Sequence, residues 1–155
     1  MFYSTTDGQY INEGQAFTID GVQYPQNWLN LSTPEEKASI GLEEVIATNS
    51  PKSDQYYWVS TELNKATLTY VNTPKDLVQV KANAVSQVKD TAGKLLSQTD
   101  WYVIRKLDRN VDIPESIALK RTQIVTEANR LEIDINDSNT VEGLIEVLNS
   151  QNWSK

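Results

Sequence analysis

Cysteine and histidine are both missing from this chain of 155 residues. The first absence excludes disulfides and thiolate metal sites. The second removes the commonest general base and the commonest metal ligand. Basic residues are also scarce: 14 lysines and arginines face 21 acids, for a net charge of −7. That balance argues against nucleic acid as a partner, because such binding draws its affinity from excess basic side chains against phosphates. The basic stretch from Arg105 to Arg109 is flanked by Asp100, Asp108 and Asp112. No apolar run approaches the roughly 18 residues of a bilayer-spanning helix. Residues 1–8 have neither the basic start nor the apolar core of a signal peptide. The expectation is therefore a protein with no membrane partner, made and kept in the cytoplasm unless a larger particle carries it out. Three Asn-x-Ser triplets, beginning at Asn30, Asn136 and Asn152, then have no secretory route to glycosylation and read as chance. A glycine-rich phosphate loop and a nucleophile elbow are absent too.

What is present suits a packed α+β protein. Hydrophobic residues make up 39% and four are tryptophan, enough for one domain or two small lobes. Charge is uneven. Residues 1–73 carry three lysines against nine acids, whereas residues 74–155 carry eleven basic side chains against twelve acids.

The pattern changes at the same place. Up to about Val71 the chain reads as short strands. Phe17-Thr18-Ile19, Asp20-Gly21 and Val22-Gln23-Tyr24 form a hairpin signal, since Asp-Gly accepts the positive φ angles of a type I′ turn. That register sets Ile19 against Val22 and Phe17 against Tyr24, and Pro25 ends the second strand. Trp28, Leu29 and Leu31 follow in a turn or short helical segment. Thr33, Pro34 and the acids Glu35 and Glu36 make a helix start, and Gly41 a stop. Leu42 to Ala47 reads as one strand, with Glu43 and Glu44 on an exposed edge. Gln55 to Ser60 and Thr67 to Val71 read as a second hairpin. Alternation there puts Tyr57 and Val59 on one face, Tyr56 and Trp58 on the other. One aromatic face would pack inside. The other meets either the helical half or a partner.

From Thr73-Pro74 the period becomes helical. Leu77, Val80, Ala84, Val88, Ala92 and Leu95 share one stripe of a helix expected to run to about Gln98, with Val78, Val85 and Leu96 at its edge. Pro114 opens a second helix with the stripe Ile117, Ile124, Val125, Ala128 and Leu131. Two such faces make an antiparallel hairpin, 74–97 with 114–132. A short helix from about Thr140 to Leu148 follows, with Asn139 as its cap and Glu142 three residues on. The expected organisation is a β-rich lobe, 1–73, and a helical lobe, 74–155.

Little of this carries chemistry. Asp134-Ile135-Asn136-Asp137-Ser138-Asn139 starts like a calcium loop but has Asn139 where glycine is required and Ile145 where a bidentate Glu is required. It reads better as a helix-capping loop. Paired carboxylates for glycoside hydrolysis are not evident, since Glu35-Glu36 and Glu43-Glu44 have local explanations. No cofactor, metal or catalytic residue is expected. The remaining candidates are contact residues. Trp101 either closes the hairpin core, with Asp100 capping the next turn, or forms a partner-binding edge with Arg105, which sits one turn away and can stack on its ring or pair with Asp100 or Asp108. Trp153, near the end of the chain, joins a core only if its tail docks; otherwise it suits a partner or another copy. Tyr56 and Trp58 complete the set.

Several of these segments resemble a known family. Thr99-Asp100-Trp101-Tyr102-Val103-Ile104-Arg105-Lys106, then Asp112-Ile113-Pro114, Ile117 and Lys120-Arg121, resemble the helical hairpin of small tail-associated proteins of tailed bacteriophages, often labelled tail fibre assembly proteins. Tyr24-Pro25-Gln26-Asn27-Trp28-Leu29, the Ser32–Lys37 helix start and Ile40-Gly41 resemble the same group more loosely. The resemblance covers 17–45 and 74–132, and residues 46–73 have no counterpart. It implies a non-enzymatic tail protein, structural or fibre-linked, located in the virion and in the host cytoplasm during assembly. Its partners would be other tail or tail-fibre subunits, with a homo-oligomer also open. The alternatives are a fibre-assembly chaperone absent from the particle and a tail-borne polysaccharide hydrolase.

Overall fold

The Asp20-Gly21 turn forms as its residues dictate, with φ of 50° and 77°. It joins β3 (Phe17–Ile19) to β4 (Val22–Tyr24) with Phe17 opposite Tyr24 and Ile19 opposite Val22. The computed structural model describes residues 1–153 and has the α+β class expected. It divides into two compact units, Met1–Thr73 and Pro74–Lys155.

In the first unit, β1 (Phe2–Ser4) lies between β2 (Tyr10–Ile11) and β5 (Leu42–Glu44), antiparallel to both. Glu43 and Glu44 are exposed on the edge strand β5. The core gathers Phe2, Ile11, Ile19, Leu29 and Leu42, with Phe17, Tyr24, Trp28 and Ile40 packed against it. Phe17 stacks on Tyr24 at 4.9 Å, and Trp28 meets both rings edge-on. Leu29 is delivered by α1 (Trp28–Leu31). The next helix, α2 (Pro34–Ser39), has a full capping box: Thr33 Oγ1 accepts from Glu36 N, and Glu36 accepts from Thr33 N. Gly41 ends it at φ +78°, where an added Cβ would lie 2.9 Å from the hydroxyls of both Thr5 and Thr6. Only glycine satisfies both the angle and the space.

Leu42–Ala47 is not one strand. The chain changes sheets at Val45, whose N–H donates to Met1 O, so β5 pairs with β1 while β6 (Ile46–Ala47) runs parallel to β8 (Thr67–Pro74). The third sheet has the order β6-β8-β7, with β7 at Tyr57–Asn64. Its strands are longer than the alternation suggests, and Tyr56 falls in the turn before β7 instead of on it.

The second unit is helical. Its first helix, α3 (Leu77–Ser97), starts later than expected. Pro74 ends β8, and Asp76 caps the helix by accepting from Val78 N. Proline's fixed φ suits the strand end as well as a helix start, so the sequence signal was ambiguous. Val80, Ala84, Val88 and Ala92 are buried as the stripe requires. A separate helix, α4 (Asp100–Arg109), then precedes α5 (Glu115–Asp137) and α6 (Val141–Asn149). Pro114 is the N-cap of α5, not its first residue. Lys81 Nζ donates to Asn136 O, while Arg121 donates to Leu96 O, so α3 and α5 run antiparallel. The longest helix is α5, and it outlasts its expected end near 132 because Ile135 extends the buried row of Ile124 and Leu131 by one turn. The calcium-like segment is therefore split: residues 134–137 form the last turn of α5, while Ser138 and Asn139 lie in the link to α6. The cap of α6 is Thr140, which accepts from Gly143 N, one residue after the Asn139 expected.

Candidate functional site

The short helix α4 begins because α3 stops at Ser97 and the chain turns at Gln98-Thr99. It ends at Asn110, left-handed at φ 53°, a conformation that asparagine tolerates. One guanidinium fixes its start. Arg121 Nη1 on α5 donates to Leu96 O at 2.9 Å, Thr99 Oγ1 at 2.7 Å and Asp100 Oδ1 at 2.9 Å. The carboxylate of Asp100 thus serves this arginine, neither capping a turn with its side chain nor pairing with Arg105.

Trp101, Ile104 and Leu107 follow at helical spacing, and they are 50%, 57% and 80% exposed. No residue of α4 is buried, although its apolar and polar side chains are well segregated. Trp101 therefore does not close the hairpin core; it stands on the rim of an uncovered apolar face. Its ring is nonetheless fixed. Trp101 and Tyr102 lie 3.7 Å apart, and the Arg105 guanidinium sits 4.9 Å from one ring and 5.2 Å from the other. The Nε of Arg105 is buried with no hydrogen-bond partner. Such an unmet donor costs about 1–3 kcal/mol, while a cation–π contact returns about 0.5–2 kcal/mol. The cluster thus orders Trp101 more than it stabilises the fold.

Trp58 is a second tryptophan on the surface. It is 67% exposed on β7, where every residue from Trp58 to Asn64 is exposed. The two residues before it are less exposed: Tyr57 is buried, with Lys52 Nζ 4.4 Å from its ring, and Tyr56 is half-buried, its hydroxyl pKa raised by that burial. Tyr56 and Trp58 do not share a strand face.

Trp153 is tied down locally. Asn152 N donates to Glu127 Oε1 at 2.8 Å, and the indole Nε1 donates to Gln151 Oε1 at 2.9 Å. Arg130 holds Glu127 through two bonds of 2.7 and 2.9 Å, and reaches Asp134 and Ser150 O. The Arg130 hydrogen bonds pull the Glu127 carboxyl below its usual range. The tail docks on α5, and Trp153 is half-buried.

Trp101 and Arg105 come together on α4, whereas Trp58 lies on β7 and Trp153 beside α5. Sequence reasoning missed Ile104, Leu107 and Arg121. The first two were available from the spacing with Trp101, had α4 been recognised as a helix of its own. Among the described residues, no group of three or more acidic side chains is arranged to hold a metal ion, and no helix is long and apolar enough to cross a membrane. No protein-family model, curated protein or solved structure matches this chain.

Proposed function

We propose that this protein is a non-enzymatic tail component of a tailed bacteriophage, structural or fibre-linked, that works by contact with other tail or tail-fibre subunits. The observation that carries this reading is the uncovered apolar face of α4. An isolated helix of this length is marginal in water, so its face needs a use that offsets its exposure. Arg121 anchors one end, the Arg105 cluster fixes the aromatic, and Ile104 and Leu107 remain open to solvent. A rigid row of apolar anchors at i, i+3 and i+6 suits a groove on a partner protein. The same helix, with Thr99 before it, carries the segment through Lys106 that resembles the tail-associated family, which supplies the partner class.

The test is incorporation. Ile104→Asp with Leu107→Asp should leave the circular dichroism spectrum unchanged, because both side chains are exposed, yet abolish recovery of the chain with tail subunits. Normal recovery of the double variant, or turnover of host surface glycans by the wild-type chain, would overturn the proposal.

A further inference from the structure

The outer edge of β7 has a use that the α4 surface does not supply. This strand ends its sheet, so every second residue directs its N–H and C=O away from β8. Edges of this kind are ordinarily blunted by proline, lysine, a bulge or brevity. Here the strand has eight residues, no proline and a single charge, Glu62. Backbone donors and acceptors in a row are satisfied by another extended strand. The geometry points to a second copy of β7 as that strand, giving a two-fold dimer with Thr61 on the axis.

Three observations select this occupant and register. Residues 45–73 carry two lysines and two acids, whereas residues 1–44 carry one lysine against seven acids. The hairpin as a whole is thus neutral, so two copies meet there without net repulsion. In an antiparallel ladder, opposed residues either both bond across the pair or both do not. Two identical edges therefore match only when the axis passes through a residue, not between two. Finally, the exposed run Trp58–Asn64 is centred on Thr61, while Tyr57, just outside it, is buried. An axis at Thr61 uses the whole run. It sets Val59 against Leu63 of the other copy on both sides of the Thr61 pair, and Trp58 against Asn64. An axis at Ser60 would instead need the buried Tyr57 and would place Trp58 against Glu62. This dimer stands apart from the tail assignment, and either can fail without the other.

Because the chain has no cysteine, single replacements report the register directly. Opposed residues place their Cβ atoms about 4.5–5.5 Å apart, against about 7–8 Å on the diagonal. Under mild oxidation of the full-length chain, Thr61→Cys should give a disulfide-linked dimer about tenfold faster than Ser60→Cys or Glu62→Cys, since only the first meets the reach of a disulfide. Sedimentation of the wild-type chain should show a dimer that Val59→Lys with Leu63→Lys converts to monomer with an unchanged circular dichroism spectrum. A wild-type chain that stays monomeric at high micromolar concentration, equal cross-linking at all three positions, or faster linking at Ser60→Cys would each overturn the proposal.

Discussion

Replacing Arg121 with Met keeps the length of the side chain and removes its donors. The side chain is 22% exposed, and its Nη1 faces three acceptors, at Leu96, Thr99 and Asp100. That nitrogen carries only two hydrogens, so three acceptors amount to two full hydrogen bonds. Each bond from a charged donor contributes about 1.5 kcal/mol at the lower end of its range. The Asp100 arm adds little, since its carboxylate is 53% exposed and solvent-screened. The expected cost of Arg121→Met is therefore about 2 kcal/mol after water replaces part of the lost bonding. Asp100→Asn should cost less than about 0.5 kcal/mol. Urea denaturation of the full chain, followed by the helical signal, measures both. Amide exchange should quicken in α4 before α5, because Arg121 ties the start of α4 to its neighbours. The reasoning is refuted if Arg121→Met matches wild type within 0.5 kcal/mol, or if Asp100→Asn costs as much as Arg121→Met.

Further expectations concern the cores and one titration. Ile124→Ala and Leu131→Ala remove fully buried side chains and should each destabilise by about 2–5 kcal/mol; calorimetric transitions unchanged in both would mean the α3–α5 packing is misassigned. Gly41→Ala forces a positive φ and a 2.9 Å approach to two threonine hydroxyls, so a loss of about 1–3 kcal/mol is expected in thermal unfolding. Glu127 has a lowered pKa in the fold, first because of its hydrogen bonds to Arg130. Its contribution is therefore present above the unfolded value of about 4.3 and is lost as pH falls through the lower folded value. Glu127→Gln should remove that acid-side loss, and an identical stability profile for both proteins from neutral to acid pH would contradict the assignment.

Much of the fold was legible where local chemistry is decisive. The Asp20-Gly21 turn, the Thr33 N-cap, the Gly41 stop and the α3 stripe each follow from residues whose preferences act over a few positions. What was not legible depends on distant partners. Phe2–Ser4 and Tyr10–Ile11 are too short to show alternation, and they are strands only because Leu42–Glu44 pairs alongside. The break at Val45 is likewise set by Met1, not by any turn residue. Thr99 carried a weak signal because its side chain does not cap α4; its hydroxyl serves Leu96 and Arg121 instead. For the same reason Trp101 and Arg105 could be paired by spacing, while the exposure of Ile104 and Leu107 required knowing that α4 stands by itself.

The measurement that bears most directly on the central claim is quantitative mass spectrometry of gradient-purified phage particles whose lysate contains this chain. The account predicts the protein in the particle at a fixed ratio to other tail subunits, retained through purification and lost when Ile104 and Leu107 are both replaced by Asp. Abundance in the lysate with absence from the particle would contradict it.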